Sequence, residues 1–440
     1  MRAGFHAGVT MVVALSGASP PDIVRAQGAQ PIPIDSAKAA FAQAHALCSA
    51  DHGTLWGVSL CGPIMLVDAR SRSIVASEAD GKGVLAAKDG AYTGVMPSDQ
   101  NIANTAVEWS GLKWTQMLWP LPDDERLRST LVMHELFHRI QNRLDLPAQR
   151  DGDNAHLDEL NGRYYMQLEW RALARALETH GDGERREAAR DALAFRAERY
   201  RIYPRAAAQE HALEQNEGLA EYTGVRLGNP TAELRTKMAL RDLSTHVSDA
   251  TFVRSFAYAT GPAYGLLLDR YARGWRAQLE SGDGLDAMLG RALHVTAKRS
   301  GAQLAARAAK YDGGALHAAE AERDAKRQQQ LALNRGKFVE GPVLMLTFRH
   351  MNVQFNPQNL QPLGDAGTVY PTIRVTDDWG VIEGKNGALM KPDWSALVVP
   401  APESPVGSSI AGDGWTLELK PGWRIVPGER SGDYTLASPQ

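Results

Sequence analysis

Two histidines in this 440-residue chain, His134 and His138, stand four positions apart, and a glutamate, Glu135, directly follows the first. Positions i and i+4 of a helix share one face, so both imidazoles could reach one metal ion. Glu135 is then placed to take a proton from a metal-bound water. The spacing indicates the zinc (Zn2+) site of a hydrolase, although it also occurs in helices that bind no metal.

The segment that carries these residues is predicted to be a buried helix. Residues 124–144 contain no Gly or Pro, and Asp123 and Asp124 are suitable N-terminal caps. Apolar side chains occur on nearly every face: Leu127, Leu131, Met133, Leu136, Phe137 and Ile140. Imidazoles and a carboxylate on a buried helix need partners, and a metal ion would supply them.

A tetrahedral zinc with an open catalytic position needs a third protein ligand. Glu217 is the best candidate, and it lies late in a second predicted helix, 206–226, which is closed by the Gly-Asn-Pro sequence of 228–230. Glu221 shares its face, so one carboxylate could bind the metal while the other accepts the N–H of a ligand histidine. The alternative is a solvated acidic face, but the surrounding Gly, Leu, Ala and Tyr indicate a packed helix.

The two segments together resemble the gluzincin metallopeptidases, particularly the relatives of aminopeptidase N. The matching residues are His134-Glu135-x-x-His138 and Asn216-Glu217-Gly218-x-Ala220-Glu221-Tyr222, and Tyr258-Ala259-Thr260-Gly261 is similar to the family's Tyr-x-x-Gly before an apolar helix. Over roughly residues 90–275, the resemblance implies zinc held by His134, His138 and Glu217, with Glu135 as general base. It also implies that Tyr258 stabilises the oxyanion, for which Tyr264 is the obvious competitor, and that Glu221 orients a ligand histidine.

Two features depart from that family. The 78 residues between His138 and Glu217 are far more than its short connection, and they include two extra helical patterns, about 155–178 and 184–201. The Gly-x-Met-Glu-Asn motif that binds a substrate's free amine is missing, and Glu108 is a poor substitute, so aminopeptidase specificity does not follow. The long connection also offers a rival third ligand, Glu169, which Arg171 could pair as an ordinary structural carboxylate. Glu217 is preferred on the motif match alone.

Composition limits the class of protein. Hydrophobic residues at 44% and charged residues at 22% describe an ordinary soluble globular chain, long enough for two or three domains. A net charge of −3 argues against nucleic acid as a partner. The one basic concentration, 185–205, alternates with glutamates and is interpreted as a solvated helix face.

The N-terminus resembles an export signal. Arg2 precedes a modest apolar run, and cleavage after Ala18 or Ala26 satisfies the small-residue rule; the alternative is an unstructured leader. The run is too short to span a membrane. A periplasmic or secreted location follows, and in such a protein Cys48 and Cys61 are expected to form one disulfide rather than two buried thiols.

The predicted fold class is α+β, with a thermolysin/gluzincin-like catalytic domain, in which a sheet precedes a mostly helical subdomain, and a C-terminal all-β module. The predicted segments are a signal peptide at 1–26, a catalytic domain at 36–295 with a helical insertion about 150–205, an exposed helical connector at 296–335 and a β-rich module at 336–440. A helix is predicted at 36–50, and strands at 55–59, 64–68, 73–77, 105–109 and 113–119. Either of the last two could be the sheet edge that pairs with a substrate backbone. Later strands are predicted at 343–348, 370–375, 396–399, 415–419, 423–426 and 434–436.

These expectations describe a zinc metallopeptidase that acts on a peptide or protein. A zinc hydrolase of an ester or epoxide would use the same residues. A non-catalytic zinc-stabilised binding protein is less expected, because structural zinc sites usually add a fourth protein ligand, commonly cysteine. No feature of the sequence predicts an oligomeric state.

Overall fold

The computed structural model describes residues 32–97, 100, 102–146, 153–280, 284–295, 301–355 and 360–438. The predicted signal peptide lies outside the described residues. The chain is mixed α/β, with a helical middle and C-terminal sheets. It divides into two compact units, Met1–Glu320 and Ala321–Gln440.

The first unit begins with a helix and a six-stranded sheet. The helix is α1 (Ile34–Asp51), and the strands are β1 (Ile64–Asp68), β2 (Ser73–Ala76), β3 (Ala86–Lys88), β4 (Ala91–Val95), β5 (Thr105–Trp109) and β6 (Leu112–Trp119). The strand order is β3-β4-β2-β1-β6-β5. β1 and β6 pair in parallel and the other neighbours are antiparallel. β5 is therefore an edge strand, and it contacts the helix that follows β6.

Helices form the rest of this unit. They are α2 (Glu125–Ile140), α3 (Leu160–Glu178), α4 (Asp182–Ile202), α5 (Ala206–Leu213), α6 (Leu219–Gly228), α7 (Ala232–Thr245), α8 (Ser255–Tyr271), α9 (Leu285–Ala292), α10 (Gly301–Ala309) and α11 (Gly313–Arg335). A π-helical turn, Glu214–Gly218, joins α5 to α6. Short 3-10 turns occupy Gln141–Leu144, Ala155–Asp158, His246–Ser248 and Trp275–Gln278. The boundary between the two units falls inside α11.

Helix α2 begins where its sequence predicts. The side chain of Asp124 accepts hydrogen bonds from the backbone N–H groups of Arg126 and Leu127, so it caps the first turn. The apolar faces of α2 pack against α6 on one side and the sheet on another. Phe137 of α2 contacts the ring of Trp56 at a centroid distance of 5.2 Å. The helix that carries the two histidines is therefore fixed on several sides by the core.

The second unit is a pair of sheets that share one core. Its strands are β7 (Val343–Thr347), β8 (Asn352–Phe355), β9 (Gln361–Pro362), β10 (Thr368–Tyr370), β11 (Ile373–Asp377), β12 (Gly380–Gly384), β13 (Ala388–Met390), β14 (Ala396–Pro400), β15 (Ser409–Gly412), β16 (Trp415–Leu419), β17 (Arg424–Pro427) and β18 (Tyr434–Ala437). One sheet has the order β17-β18-β7-β14-β13-β10-β9, and the other β15-β16-β12-β11-β8. Leu346 of the first and Ile382 of the second belong to one buried cluster.

Two predicted strands are wrong. Residues 55–59 form turns, because Gly53 and Gly57 adopt positive φ angles on either side of the apolar residues. The predicted strand at 370–375 is two strands, since β10 ends at Tyr370 and β11 begins at Ile373 in the other sheet. Pro371 lies at this switch, where its missing N–H interrupts neither ladder.

The described residues of the predicted connector are mostly helical and exposed, but a few of them are buried. Tyr311 and Leu316 are buried in the core of the first unit. Lys310 pairs with Glu187 and Asp191 on α4. The sequence did not predict these few buried contacts, because the segment contains few large apolar residues.

Cys48 and Cys61 form the disulfide that the sequence favoured, with a Cα–Cα distance of 5.3 Å. The bridge closes a loop whose Leu60 and Cys61 carbonyls accept hydrogen bonds from Arg139 on α2, at 2.8 and 2.6 Å. Such a bridge agrees with an exported protein. Among the described residues, no helix is both long and apolar enough to cross a membrane.

Replacing Cys48 and Cys61 together by serine should lower the free energy of unfolding by about 3 kcal/mol, since the open loop regains conformational entropy in the unfolded chain. Denaturant unfolding of the variant and the native protein measures the difference. A reductant should destabilise the native protein and leave the double variant unchanged. Equal stability of the two proteins would contradict the prediction.

Candidate metal centre

Three side chains from two elements meet at one point. Helix α2 supplies His134 and His138, and the π-helical turn supplies Glu217. The two Nε2 atoms lie 3.1 Å apart, and each is 3.5 Å from Oε2 of Glu217. All three residues are mostly buried, with side-chain exposures of 4%, 16% and 12%. The structure thus brings together the three metal ligands predicted from the sequence.

The size of this triangle suits zinc. Zinc binds nitrogen and carboxylate oxygen at about 2.0–2.1 Å, so two ligands of a tetrahedral ion lie about 3.3–3.4 Å apart. The observed sides of 3.1, 3.5 and 3.5 Å bracket that value. Two imidazoles and one carboxylate, with a fourth position left over, also form the usual donor set of a catalytic zinc. The residues present therefore fit the ion.

The outward nitrogens of both histidines are occupied. His134 Nδ1 lies 2.7 Å from Oε2 of Glu221, and His138 Nδ1 lies 3.2 Å from Oε1 of Gln141. With Glu221 and Gln141 as acceptors, the protons are assigned to Nδ1, which turns the lone pairs of the two Nε2 atoms toward each other. A proton or a metal ion between the rings would stabilise this arrangement. Glu221 thus occupies the supporting position that the sequence predicts for it.

Electrostatics around the triangle favour an ionised ligand carboxylate. Burial raises the pKa of Glu217, but the hydrogen bonds and charges of the two histidines outweigh it and hold this pKa well below the ordinary value. Burial lowers the pKa of His134, but Glu217 and Glu221 outweigh it and hold that pKa well above the ordinary value.

Glu135 has the surroundings of a general base. It is 1% exposed, and its Oε2 has no hydrogen-bond partner among the residues that the structure describes. Burial raises its pKa, and the charges of His134 and His138 oppose the rise only in part. A carboxylate with a raised pKa accepts a proton more readily near neutral pH than an exposed one does.

Tyr258 joins the site from α8. Its hydroxyl donates a hydrogen bond to Oε2 of Glu217 at 2.7 Å. Its ring stacks on His134, with centroids 5.7 Å apart and planes 2° from parallel. Burial and the charge of Glu217 raise the pKa of the phenol well above its ordinary value, so it remains a donor.

Two glycines allow α8 to approach this closely. A Cβ on Gly261 would lie 2.2 Å from the carbonyl oxygen of Gly218 and 2.4 Å from its Cα. A side chain at this position would push α8 away from the π-helical turn. Gly218 directly follows Glu217, and Gly261 lies one turn after Tyr258, so the contact aligns the tyrosine with the ligand.

Glu169, the rival third ligand, lies in a separate buried cluster of charges. Arg196 donates to it at 2.7 Å, and Arg199 pairs with it at 2.8 Å. Tyr264, the competitor of Tyr258, also donates to Glu169, at 2.8 Å. Arg171, the expected partner, instead binds the carbonyl of Tyr311. The prediction that Arg171 pairs with Glu169 was therefore wrong. The structure does not bring Glu169 or Tyr264 to the histidines.

The arginines of this cluster correct another prediction. Arg196 and Arg199 lie in the stretch interpreted as a solvated basic face, yet both are 0% exposed. Arg196 also binds Glu214 with two donors, at 2.8 and 2.6 Å, and Arg199 binds Glu210 in the same way, at 2.7 and 2.6 Å. A buried guanidinium is stable only with such partners, and these come from α3, α5 and the π-helical turn.

Three further polar residues, which belong to none of the motifs in the sequence, lie around the candidate metal centre. Gln141, three positions after His138, holds that ring and also reaches the backbone of Gln215 at 3.5 Å. Arg254 donates to Oε1 of Glu217 at 3.2 Å. Asp242 is 5% exposed, and burial together with the charge of Glu221 raises its pKa well above the ordinary value. Only Gln141 had a usable signal, its helical spacing from His138.

Glu108, the weak candidate for an amine anchor, is exposed on β5 opposite Lys113 of β6. Its strand is nevertheless one of the two edges of the sheet, as one of the two alternatives from the sequence predicts. Trp109 and Trp114 are buried in the core and Trp119 is partly buried.

Comparison with known proteins adds no relative. No protein-family model matches the chain, and neither a curated protein nor a solved structure matches it. The resemblance to gluzincins therefore stays a prediction, and a function must be argued from the site.

Glu217→Ala should empty the site of zinc and leave the fold intact, because this carboxylate lies at the triangle and not in the core. Glu169→Ala should retain zinc but lose about 3–5 kcal/mol of stability, since it leaves Arg196 and Arg199 short of a partner. Zinc content after dialysis and denaturant unfolding of both variants separate the two effects. The opposite pattern, with an empty Glu169→Ala site, would reverse the ligand assignment.

Proposed function

We propose that this chain is a zinc-dependent hydrolase, and specifically an exported metallopeptidase of the gluzincin type. The observation that carries the proposal is the triangle of His134, His138 and Glu217, with both histidines oriented through Nδ1. A zinc held only for structure usually has four protein ligands, whereas the described residues supply three. Three ligands leave room for water and substrate.

When bound, zinc would act as a Lewis acid toward a substrate carbonyl and toward water. Glu135, which is almost completely buried and directly follows His134, would take a proton from the attacking water and pass it to the leaving amine. Tyr258 would donate its hydroxyl to the charge that develops on the carbonyl oxygen. Glu221 and Gln141 would keep the two imidazoles in the required tautomer.

The free edge of β5 favours a peptide over an ester or epoxide. An extended peptide can add to a sheet edge through backbone hydrogen bonds, which a small ester or epoxide lacks. β5 contacts α2, the helix that carries the two histidines. A peptide on this edge would therefore lie along the helix of the proposed centre. The disulfide supports an exported, periplasmic or secreted setting.

Glu135→Gln tests the proposed function directly. The amide keeps the size of the side chain but cannot accept a proton, so zinc should remain at about one ion per chain while peptide cleavage falls about 10²–10⁴-fold. A fluorogenic peptide library and metal analysis on the same samples provide the measurement. Native protein that holds zinc and cleaves no peptide would refute the peptidase proposal. Undiminished cleavage by Glu135→Gln would place the base elsewhere.

Tyr258→Phe should lower kcat about 10²-fold while changing KM little, because the hydrogen bond from Tyr258 to the carbonyl oxygen would form fully only in the transition state. Tyr264→Phe is the matched control, since its hydroxyl serves Glu169 in the buried charge cluster. That control should lose stability and retain turnover per folded molecule. Normal turnover in Tyr258→Phe beside a crippled Tyr264→Phe would exchange the two roles.

A further inference from the structure

A cavity of about 360 Å³ lies against the Cys48–Cys61 disulfide, and both half-cystines line it. Cys48 is buried, whereas Cys61 is only partly buried. Two exposed residues of α1, Ala42 and His45, also line the cavity, so it is reached from solvent. A small molecule that enters the cavity would therefore lie beside the sulfurs of the bridge.

The groups around the two sulfurs suit thiol–disulfide exchange. His45 Nδ1 lies 3.4 Å from the hydroxyl of Ser49, and that hydroxyl lies 3.6 Å from Sγ of Cys61. Sγ of Cys48 lies 3.4 Å from the carbonyl oxygen of His45. An imidazole can take the proton of an incoming thiol, which produces the thiolate that attacks a disulfide. Once the bridge opens, Ser49 can donate to a Cys61 thiolate, and a Cys48 thiol can donate to the carbonyl.

The loop that the bridge closes holds α2 beside the proposed metal centre. Arg139, which directly follows the ligand His138, donates to the carbonyls of Leu60 and Cys61. A side chain at Gly62 would collide with the guanidinium of Arg139, so the loop packs closely over this group. The end of α2 that carries His138 is therefore fixed to the disulfide through Arg139.

The same loop also holds α6. The indole N–H of Trp56 donates to the hydroxyl of Thr223 at 3.0 Å, and its ring meets the ring of Tyr222 edge-on, with centroids 6.4 Å apart. These two residues directly follow Glu221, the carboxylate that orients a proposed ligand. Because Trp56 also packs on Phe137 of α2, the loop joins the two helices.

We propose that the Cys48–Cys61 disulfide is a redox site that a small dithiol reduces through this cavity, and that its state controls the affinity of the metal centre for zinc. The inference rests on the proposed function, since it assigns a regulator to the same centre. While the bridge is closed, the loop holds α2 against α6 and keeps the ligands in place. When it opens, the loop gains conformational freedom, so ordering the ligands around the ion costs more entropy.

The exchange needs one dithiol. Its first thiolate attacks Sγ of Cys61, the less buried half-cystine, and forms a mixed disulfide. The electron pair of the broken S–S bond leaves with Cys48, which takes up the proton that the thiol lost. The second thiolate of the dithiol then displaces Cys61, which is protonated in the same way. The bridge is thus reduced to two thiols, and the dithiol is oxidised to a cyclic disulfide.

Reduction kinetics test the cavity. Dithiothreitol should reduce the bridge of the folded, zinc-free chain, and Ala42→Phe should slow this reaction about tenfold, because access of the thiolate to the sulfur limits the rate. Ala46→Phe is the matched control on an exposed position of α1 and should leave the rate unchanged. Alkylation of the released thiols, followed by mass spectrometry, gives the rates. Reduction no faster than global unfolding, or an equal rate in Ala42→Phe, would overturn the inference.

Zinc affinity, measured by competition with a chelator, tests the coupling. Two forms lack the bridge, the Cys48→Ser/Cys61→Ser variant and the reduced native protein with its thiols alkylated. Both should bind zinc about tenfold more weakly than the native protein. Circular dichroism shows whether they are folded, and an unchanged affinity in the folded forms would refute the coupling.

Arg139→Gln keeps the bridge and removes the link to α2, so it tests the coupling even if the bridge-free forms do not fold. It should also weaken zinc binding about tenfold. Loss of a cation near a metal ion would by charge alone strengthen binding, so weaker binding indicates lost positioning. Arg143→Gln, at an exposed arginine four residues further on, is the control and should not weaken it. Unchanged or tighter binding by Arg139→Gln would overturn the inference.

The outcomes separate this inference from the proposed function. Equal zinc affinity in both redox states would refute only the inference. An affinity that follows the bridge, in a protein that cleaves no peptide, would refute only the proposed function. A chain that takes up no zinc would overturn both.

Discussion

The proposed centre depends on one close contact between backbones. At this contact a Cβ on Gly261 would lie 2.2 Å from the carbonyl oxygen of Gly218, so the absence of a side chain at Gly261 lets α8 lie against the π-helical turn. Glu217 precedes the first glycine and Tyr258 lies one turn before the second. With larger residues at the contact, the phenol could not stay within 2.7 Å of the carboxylate. The position of Tyr258 beside Glu217 therefore depends on the absence of a side chain at Gly261.

The buried charge cluster also joins the π-helical turn to α8. Glu214, at the start of the π-helical turn, receives two hydrogen bonds from Arg196 and one from the hydroxyl of Thr260 on α8, at 2.5 Å. Each bond joins segments that are distant in sequence, and the cost of burying the charges is offset only when all partners are present. The helices α3 and α4, which the motif comparison treats as an insertion, supply Glu169 and Arg196. They therefore support the turn that carries Glu217.

Local patterns in the sequence predicted much of this arrangement. The buried helix of His134 and His138 follows from the lack of Gly and Pro, the apolar side chains on nearly every face and the Asp124 cap, and the predicted bounds of β5 and β16 agree with the structure. The burial of Arg196 could not be predicted in this way, because it depends on Glu169 and Glu214, which come from other elements. The alternation of apolar and polar residues also failed to predict the break at Pro371, since this pattern continues through the point where the chain passes from one sheet to the other. Pairing between distant elements is invisible to a local pattern.

The hydrogen bonds of Glu217 link the support of the site to its proposed chemistry. Tyr258 holds its Oε2 and Arg254 holds its Oε1, so both carboxylate oxygens are oriented without any metal. A ligand fixed in this way loses little side-chain entropy when an ion binds. The two donors are placed by different parts of the fold. The glycine contact places Tyr258, whereas Asp158 and Arg163 bind the backbone of the segment before Arg254, at residues 249–252. The orientation of this one carboxylate thus depends on the packing of α8 and on contacts from α3 and from the turn Ala155–Asp158 that precedes it. Both elements lie in the long connection between His138 and Glu217, which gives a physical reason for that connection.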